Sequence, residues 1–179
     1  MANLPVENLT FAFGAEIDAQ KYDDWTHYSQ VWNKHPASQK AVDVLAVQTS
    51  AAPAVAWMIE AKDFRIVNPA LPPKPSNVSG LPQTMATKAT HTLAGLVNAA
   101  ANATVPSEKS LAAKAMSAGA KRIVLHLEPH TGPHTALFPT GFAASVLQQL
   151  RRLVKAIDAN PLVLNIANTP ASGVPWTVS

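Results

Sequence analysis

Three residues in this sequence have the types and spacing for phosphate chemistry. Asp43 interrupts the apolar run AVDVLAV at 41–47, and Glu60 and Lys62 interrupt the next, VAWMIEAKDF at 55–64. Both runs are short, apolar and rich in β-branched residues, which predicts buried strands. Side chains alternate along a strand, so Glu60 and Lys62 share a face. The link QTSAAPA is short, which predicts an antiparallel hairpin in which Asp43 converges on the Glu60–Lys62 patch. A carboxylate buried without a partner costs several kcal/mol unless it is neutralised or bound to a cation. Two facing carboxylates repel, and a divalent metal relieves that repulsion. Hard oxygen ligands favour Mg2+ or Mn2+, metals that also bind phosphates. Lys62 adds a positive charge that can hold water or hydroxide and offset charge developing on a phosphate. The competing account is an ordinary charge pair on a wet strand, worth little. The apolar neighbours Val42, Val44 and Leu45, and Trp57 to Ile59, argue against it.

The elements that must carry these residues follow from periodicity. KYDDWTHYSQVWNK at 21–34 places Tyr22, Trp25, Ser29 and Trp32 on one helical face, with Asp23 and Asp24 near the positive end of its dipole. Pro36 ends it. Residues 67–82 hold five prolines, which predicts an exposed loop bordering the cleft. A helix then starts with Pro82 in its first turn and buries Met85, Ala89, Leu93, Leu96, Val97 and Ala100. Another runs from Ser107 as N-cap to Gly119 as C-cap. RIVLHLE at 122–128 is a strand. Val146, Leu150, Leu153, Val154 and Ile157 form the apolar stripe of a further helix, closed by Asn160-Pro161. LVLNIA is a last strand, and the tail from Thr169 is irregular. The order is helix, strand, strand, helix, helix, strand, helix, strand: an α/β layer structure with a mixed central sheet flanked by helices.

The residues KYDDW, KAVDVLAV, IEAKDFR and LHLE are together similar to a family of uncharacterised bacterial proteins assigned to the PD-(D/E)XK, or restriction-endonuclease-like, nuclease superfamily. The resemblance covers a core of about 18–128. The helix and strand at about 140–168 are a C-terminal extension of it. What it implies is hydrolysis of phosphodiester bonds in DNA, or in RNA, with Mg2+ or Mn2+. Asp43 matches the motif's aspartate and Glu60-Ala61-Lys62 its second half, with Asp43 and Glu60 as metal ligands. Val42 stands where the motif's proline would be, a departure shared by many members. Members often add an acid from the first helix, for which Asp23, Asp24 and Glu16 are candidates. They also add a polar residue from the helix after the loop, for which Gln83 and Lys88 are candidates. Arg65, with Lys62, is the basic residue best placed for phosphate contacts.

Three alternatives bound this expectation. The first is a catalytically inactive module that keeps the fold and serves a defence or repair system. The second is a different α/β enzyme using His126 and Glu128. HLEPHTGPH at 126–134 offers histidines to zinc, but its spacing fits no zinc pattern, and His126 reads better as a sheet histidine with a hydrogen-bond partner. The third is that Arg151, Arg152 and Lys155 are only the wet side of their helix.

Composition sets the frame. At 179 residues the chain suits one domain. Its apolar content of 47% is enough for a core, which excludes a disordered chain. It has no cysteine, so disulfides and thiolate metal sites are out. Met1 to Gly14 lacks the pattern of a signal peptide, and no apolar run is long enough to span a membrane. A cytoplasmic protein is expected. The net charge of +3 permits a nucleic-acid partner without demanding one. A small nuclease fold also needs recognition, from a second copy or from a partner protein.

Overall fold

The computed structural model describes residues 2–34, 38–65, 75–130 and 135–179. A five-stranded sheet carries the site. Its strands are β3 (Ile17–Lys21), β4 (Val44–Gln48), β5 (Val55–Asp63), β6 (Ala120–Glu128) and β7 (Leu162–Leu164), in that spatial order. The β3–β4 and β4–β5 pairs are antiparallel, and β5–β6 and β6–β7 are parallel. The sheet is therefore mixed, as the element order predicts. Between β5 and β6 the chain passes through α2 (Pro75–Ser79), α3 (Leu81–Asn102) and α4 (Pro106–Ser117).

The two faces of the sheet are covered differently. Leu45, Val47, Ala56, Met58 and Ile123 pack under α3, α4 and α5 (Phe142–Val154). Val44, Ala46, Trp57, Ile59 and Val124 point the other way. They meet a small antiparallel sheet of β1 (Ala2–Val6), β2 (Leu9–Phe13) and β8 (Trp176–Val178). The sequence reading assigns no element to β1, β2 and β3 and leaves β8 in an irregular tail. Pro5 argues locally against a strand, yet β1 is an edge, where a missing N–H is tolerated. β8 is three residues long and pairs only with β2, through Phe11–Val178 to Phe13–Trp176.

The expected helix at 21–34 is a correction of a different kind. Lys21 closes β3 opposite Val44, and the Tyr22 N–H donates to the Asp43 carbonyl at 2.9 Å. Only α1 (Thr26–Gln30) is α-helical, followed by a 3-10 turn at Trp32–Lys34. The aromatic spacing is real, but it builds a cluster in which the Tyr22 and Trp25 rings lie 4.7 Å apart. The first N–H groups of α1, on Thr26 and His27, donate to the buried Glu108 carboxylate of α4 at 2.7 and 3.0 Å. Gly95 of α3 lets this cluster approach, because a Cβ there would stand 2.4 Å from the Tyr22 hydroxyl.

The remaining boundaries move little. β4 begins one residue after Asp43, so Asp43 caps the strand rather than interrupting it. α4 starts at Pro106, with Val105 as its N-cap and Ala118 as its C-cap in place of Ser107 and Gly119. Val97, expected in the core, is exposed. Of the proline-rich segment, residues 66–74 lie outside the described residues, and Pro75 and Pro82 each sit in the first turn of a helix. Among the described residues no helix is long and apolar enough to cross a membrane.

Candidate active site

The β4–β5 ladder fixes the geometry. Its last pair is Val44 opposite Ile59. One step further along the same antiparallel register, Asp43 stands opposite Glu60, and directly opposed residues share a sheet face. That face is the helical one, since Met58, two residues before Glu60, packs there. The Asp43 carboxylate also ties the strand ends together, because its Oδ2 accepts the Ala61 N–H at 2.8 Å.

α3 supplies the group that meets both acids. Thr84, Lys88 and Thr92 follow one another at four-residue spacing, so they lie along one side of the helix. The Thr92 hydroxyl accepts the Val42 N–H at 3.1 Å, which holds the approach to Asp43 against α3. Lys88 Nζ donates to both oxygens of Glu60, at 2.6 and 2.7 Å, and lies 3.5 Å from Asp43 Oδ1. Lys62 Nζ stands 3.1 Å from Glu60 Oε1 and donates to the Ala61 carbonyl at 2.7 Å. Its third contact is Glu7 Oε1 at 2.9 Å.

Glu7 is a site residue that sequence reasoning missed. It sits in the β1–β2 turn with φ of 53°, a left-handed conformation unusual for a residue other than glycine. Its second oxygen accepts the Asp63 N–H. The turn thus reaches from the second sheet to the end of β5.

Electrostatics follow from burial. Glu60 is only 1% exposed. Burial, then the negative charge of Asp43, pushes its pKa up to about 7, and the attraction of Lys62 and Lys88 only partly offsets this. Burial by itself would lower the pKa of Lys62, but Glu60, the Glu7 hydrogen bond and Asp43 together hold it above the ordinary lysine value. Asp23 is raised by burial and then by Asp43 and Asp24. One of its carboxylate oxygens is buried with no hydrogen-bond partner among the described residues.

An open cleft of about 450 Å3 exposes this cluster, with Asp23, Tyr28, Asp43, Thr84 and Lys88 in its walls. A second hollow of about 260 Å3 is lined by Lys62, Phe64, Asn77, Leu81 and Thr84. Thr84 borders both, with Lys88 in the wall of the first and Lys62 in the wall of the second.

The structure therefore brings together Asp43, Glu60, Lys62, Lys88 and Asp23. It leaves out Gln83, which is exposed on α3 and borders depressions beside Leu153. Arg65 is also turned away. Its guanidinium makes two 2.9 Å bonds to Asp63, whose position in β5 faces the opposite side from Glu60 and Lys62. Asp24 pairs with Lys21 at 3.0 Å instead of joining the cluster. Of the proline-rich loop expected to border the cleft, residues 66–74 lie outside the described residues. Asn77 of α2, just after them, does line the hollow beside Lys62.

His126 is fully buried, and its Nε2 lies 2.9 Å from Glu128 Oε1, which also accepts the Ile166 N–H at 2.6 Å. It is the partnered sheet histidine that the sequence suggested. Arg151, Arg152 and Lys155 lie on the wet side of α5 or just past its end.

Among the described residues no three His, Asp or Glu side chains form a ready-made metal cage. Mg2+ does not require one, since it keeps several waters and uses one or two carboxylates with substrate phosphates. The donor set fits a hard cation. Asp43 and Glu60 share an ammonium, and Asp23, in the same cleft wall as Asp43, keeps an oxygen without a hydrogen-bond partner among the described residues.

No family model matches this chain. No solved structure matches it either. A curated relative, described as cysteine–tRNA ligase of Neisseria meningitidis serogroup A / serotype 4A (strain DSM 15465 / Z2491), is 29% identical over 215 aligned residues. That similarity spans the whole of this chain but only 30% of the relative's length.

Proposed function

We propose that this chain is a divalent-metal-dependent nuclease with a restriction-endonuclease-like core. The observation that carries the reading is the meeting of Asp43 and Glu60 at one end of the β4–β5 ladder, with Lys62 on the same strand and face as Glu60. An antiparallel meander followed by a helical crossover to a parallel strand supports the architecture.

In this reading Asp43 and Glu60 hold Mg2+ or Mn2+, and the bound ion supplies Lewis acidity and a water acidified for attack on phosphorus. The protein's own groups do the rest. Lys62 stays protonated, held by Glu60 and Glu7, and places a fixed positive charge where the phosphate gains negative charge. Lys88, in contact with both acids, shields them from each other. Asp23 and Thr84 border the path along which a strand would lie. The net positive charge of the chain suits a polyanionic substrate. DNA is the first substrate to test. The similarity to part of a cysteine–tRNA ligase adds tRNA to the set.

Lys88 also favours a second reading. An internal ammonium that already neutralises both acids is what an inactive, purely structural cluster would contain. One assay separates the two. Wild type, Asp43→Ala, Glu60→Ala and Lys62→Ala are incubated with single- and double-stranded DNA, with RNA and with tRNA, in Mg2+, in Mn2+ and in EDTA. Nuclease function requires metal-dependent cleavage by wild type and its loss in both carboxylate variants. Equal activity in all four proteins marks a contaminant. No cleavage together with no calorimetric metal binding supports the inactive module.

A further inference from the structure

A separate hollow of about 170 Å3 lies between the start of α5 and the ends of β6 and β7. Phe138 and Phe142 form one wall, their rings edge to face at 5.3 Å and 87°. Both phenyl groups are only half buried, with Leu127 and Val163 behind them. An apolar cavity of about 150 Å3 accepts one aromatic ring, so the space suits a single planar group. The rim is polar. Asn165 and Asn168 use their side-chain oxygens to accept each other's backbone N–H, at 2.9 and 2.7 Å. Their Nδ2 groups make no hydrogen bond among the described residues, and both residues line the hollow.

Position ties this hollow to the candidate site. Leu127 in its wall is the register partner of Lys62 on the neighbouring strand, and the two side chains share a sheet face. Neighbouring strands are about 4.8 Å apart, so the hollow begins one strand away from Lys62. Phe64, two residues after Lys62, lines the Lys62 hollow, and its ring lies 5.1 Å from that of Phe138.

We propose that this hollow is a nucleobase seat, holding one unstacked base of the strand whose backbone passes Lys62. Aromatic faces take up the base plane, and the two asparagine Nδ2 groups donate to its ring nitrogens or carbonyl oxygens. A base enclosed there cannot stay paired, so the substrate is single-stranded at that nucleotide. The seat rests on the nuclease reading for the source of the base.

Binding in EDTA tests it without cleavage. Labelled single-stranded DNA and RNA octamers are compared with copies carrying one abasic site, moved along the strand, using fluorescence anisotropy. Free adenosine and thymidine serve as competitors. At one position, loss of the base should weaken binding by wild type about tenfold, the scale of one base–aromatic stack. Phe138→Ala should abolish that difference, and Asn168→Ala, which removes the Nδ2 donor along with the oxygen that accepts the Asn165 N–H, should reduce it. Equal binding of intact and abasic strands at every position would overturn the proposal. So would a folded Phe138→Ala or Asn168→Ala protein that keeps the full difference, or competition by nucleosides with no abasic effect. Base-dependent binding by a wild type that cleaves nothing would sink the nuclease reading and leave the seat standing.

Discussion

The ammonium of Lys88, 28 positions later in the chain, stands 2.6 and 2.7 Å from the two carboxylate oxygens of Glu60. That contact decides how a sheet can carry an acid that is 1% exposed. Lys88→Met keeps the apolar stem and removes the charge. Lys62 remains at 3.1 Å as partial compensation. Unfolding in urea should show a loss of about 3 kcal/mol at pH 8, the low end for breaking a buried pair. The loss at pH 5 should be clearly smaller, because Glu60 can then bind a proton. An equal loss at both pH values would mean that Lys88 contributes packing only.

Glu60 itself should shape the pH dependence of stability. Its folded pKa of about 7 lies above the ordinary value of 4.5, so the folded state holds this proton more tightly than the unfolded state. The stabilisation linked to it is complete below about pH 4.5 and is lost as pH rises through about 7. The size is on the order of 3 kcal/mol. Glu60→Gln removes the titration, so the difference between wild-type and variant stability curves should change across that window and be flat above it. A difference that is constant from pH 4 to pH 8 would show that Glu60 titrates normally.

How legible this was in the sequence depends on the range of each interaction. Asp43, Glu60 and Lys62 stood out because each is a charge within an apolar run, and the short link between the runs fixed their pairing. Lys88 and Gln83 are both candidates through the resemblance, which asks the helix after the loop for a polar residue, and it is the turn of α3 that separates them: Lys88 meets Glu60 and Gln83 does not. Five residues before Lys88, it lies about 140° round the helix from it. Glu7 carried no local signal. It meets Lys62 across 55 positions, and only after β1 and β2 have folded over the second face of the sheet. That layer was illegible because β1 contains a proline and β8 is only three residues long. The stretch 21–34 misled because helical spacing and an aromatic cluster around a turn place the same residues at the same intervals.

Glu7→Gln tests that long-range brace. The amide keeps one acceptor oxygen, presents a donor in place of the other, and no longer holds Lys62 by charge. Cleavage, if Lys62 acts as proposed, should fall several-fold, while thermal stability changes by about 1 kcal/mol or less, as expected for a half-exposed pair. Glu7→Gly, which suits the left-handed backbone, should slow the reaction at least as much without lowering the melting temperature. Full activity in both variants would remove Glu7 from the site.

Gly95→Ala probes the packing beneath α1. The added methyl would lie 2.4 Å from the Tyr22 hydroxyl and 3.0 Å from Trp32 Nε1, and Tyr22 is fully buried. Overpacking of this kind costs about 1–3 kcal/mol. Denaturant unfolding should show that loss, accompanied by a change in near-ultraviolet circular dichroism from the Tyr22–Trp25 cluster. An unchanged midpoint would mean that the cluster gives way without cost.

Metal binding should carry the signature of both neighbours of Glu60. A ligand carboxylate must be deprotonated, and Glu60 with a pKa of about 7 is mostly protonated at pH 6 and mostly ionised at pH 8. Mn2+ affinity measured by calorimetry should therefore rise about tenfold across that interval, with proton release seen as a difference between buffers of unlike ionisation heat. Lys88 competes for the same two acids, so Lys88→Met should bind Mn2+ more tightly than wild type at pH 8, although the metal-free variant is less stable. Asp43→Asn keeps an oxygen that can accept the Ala61 N–H, yet it removes a ligand charge, so it should fold and lose the ion. Mn2+ affinity that ignores pH, Lys88 and Asp43 alike would place the ion elsewhere and take the catalytic role away from this cluster.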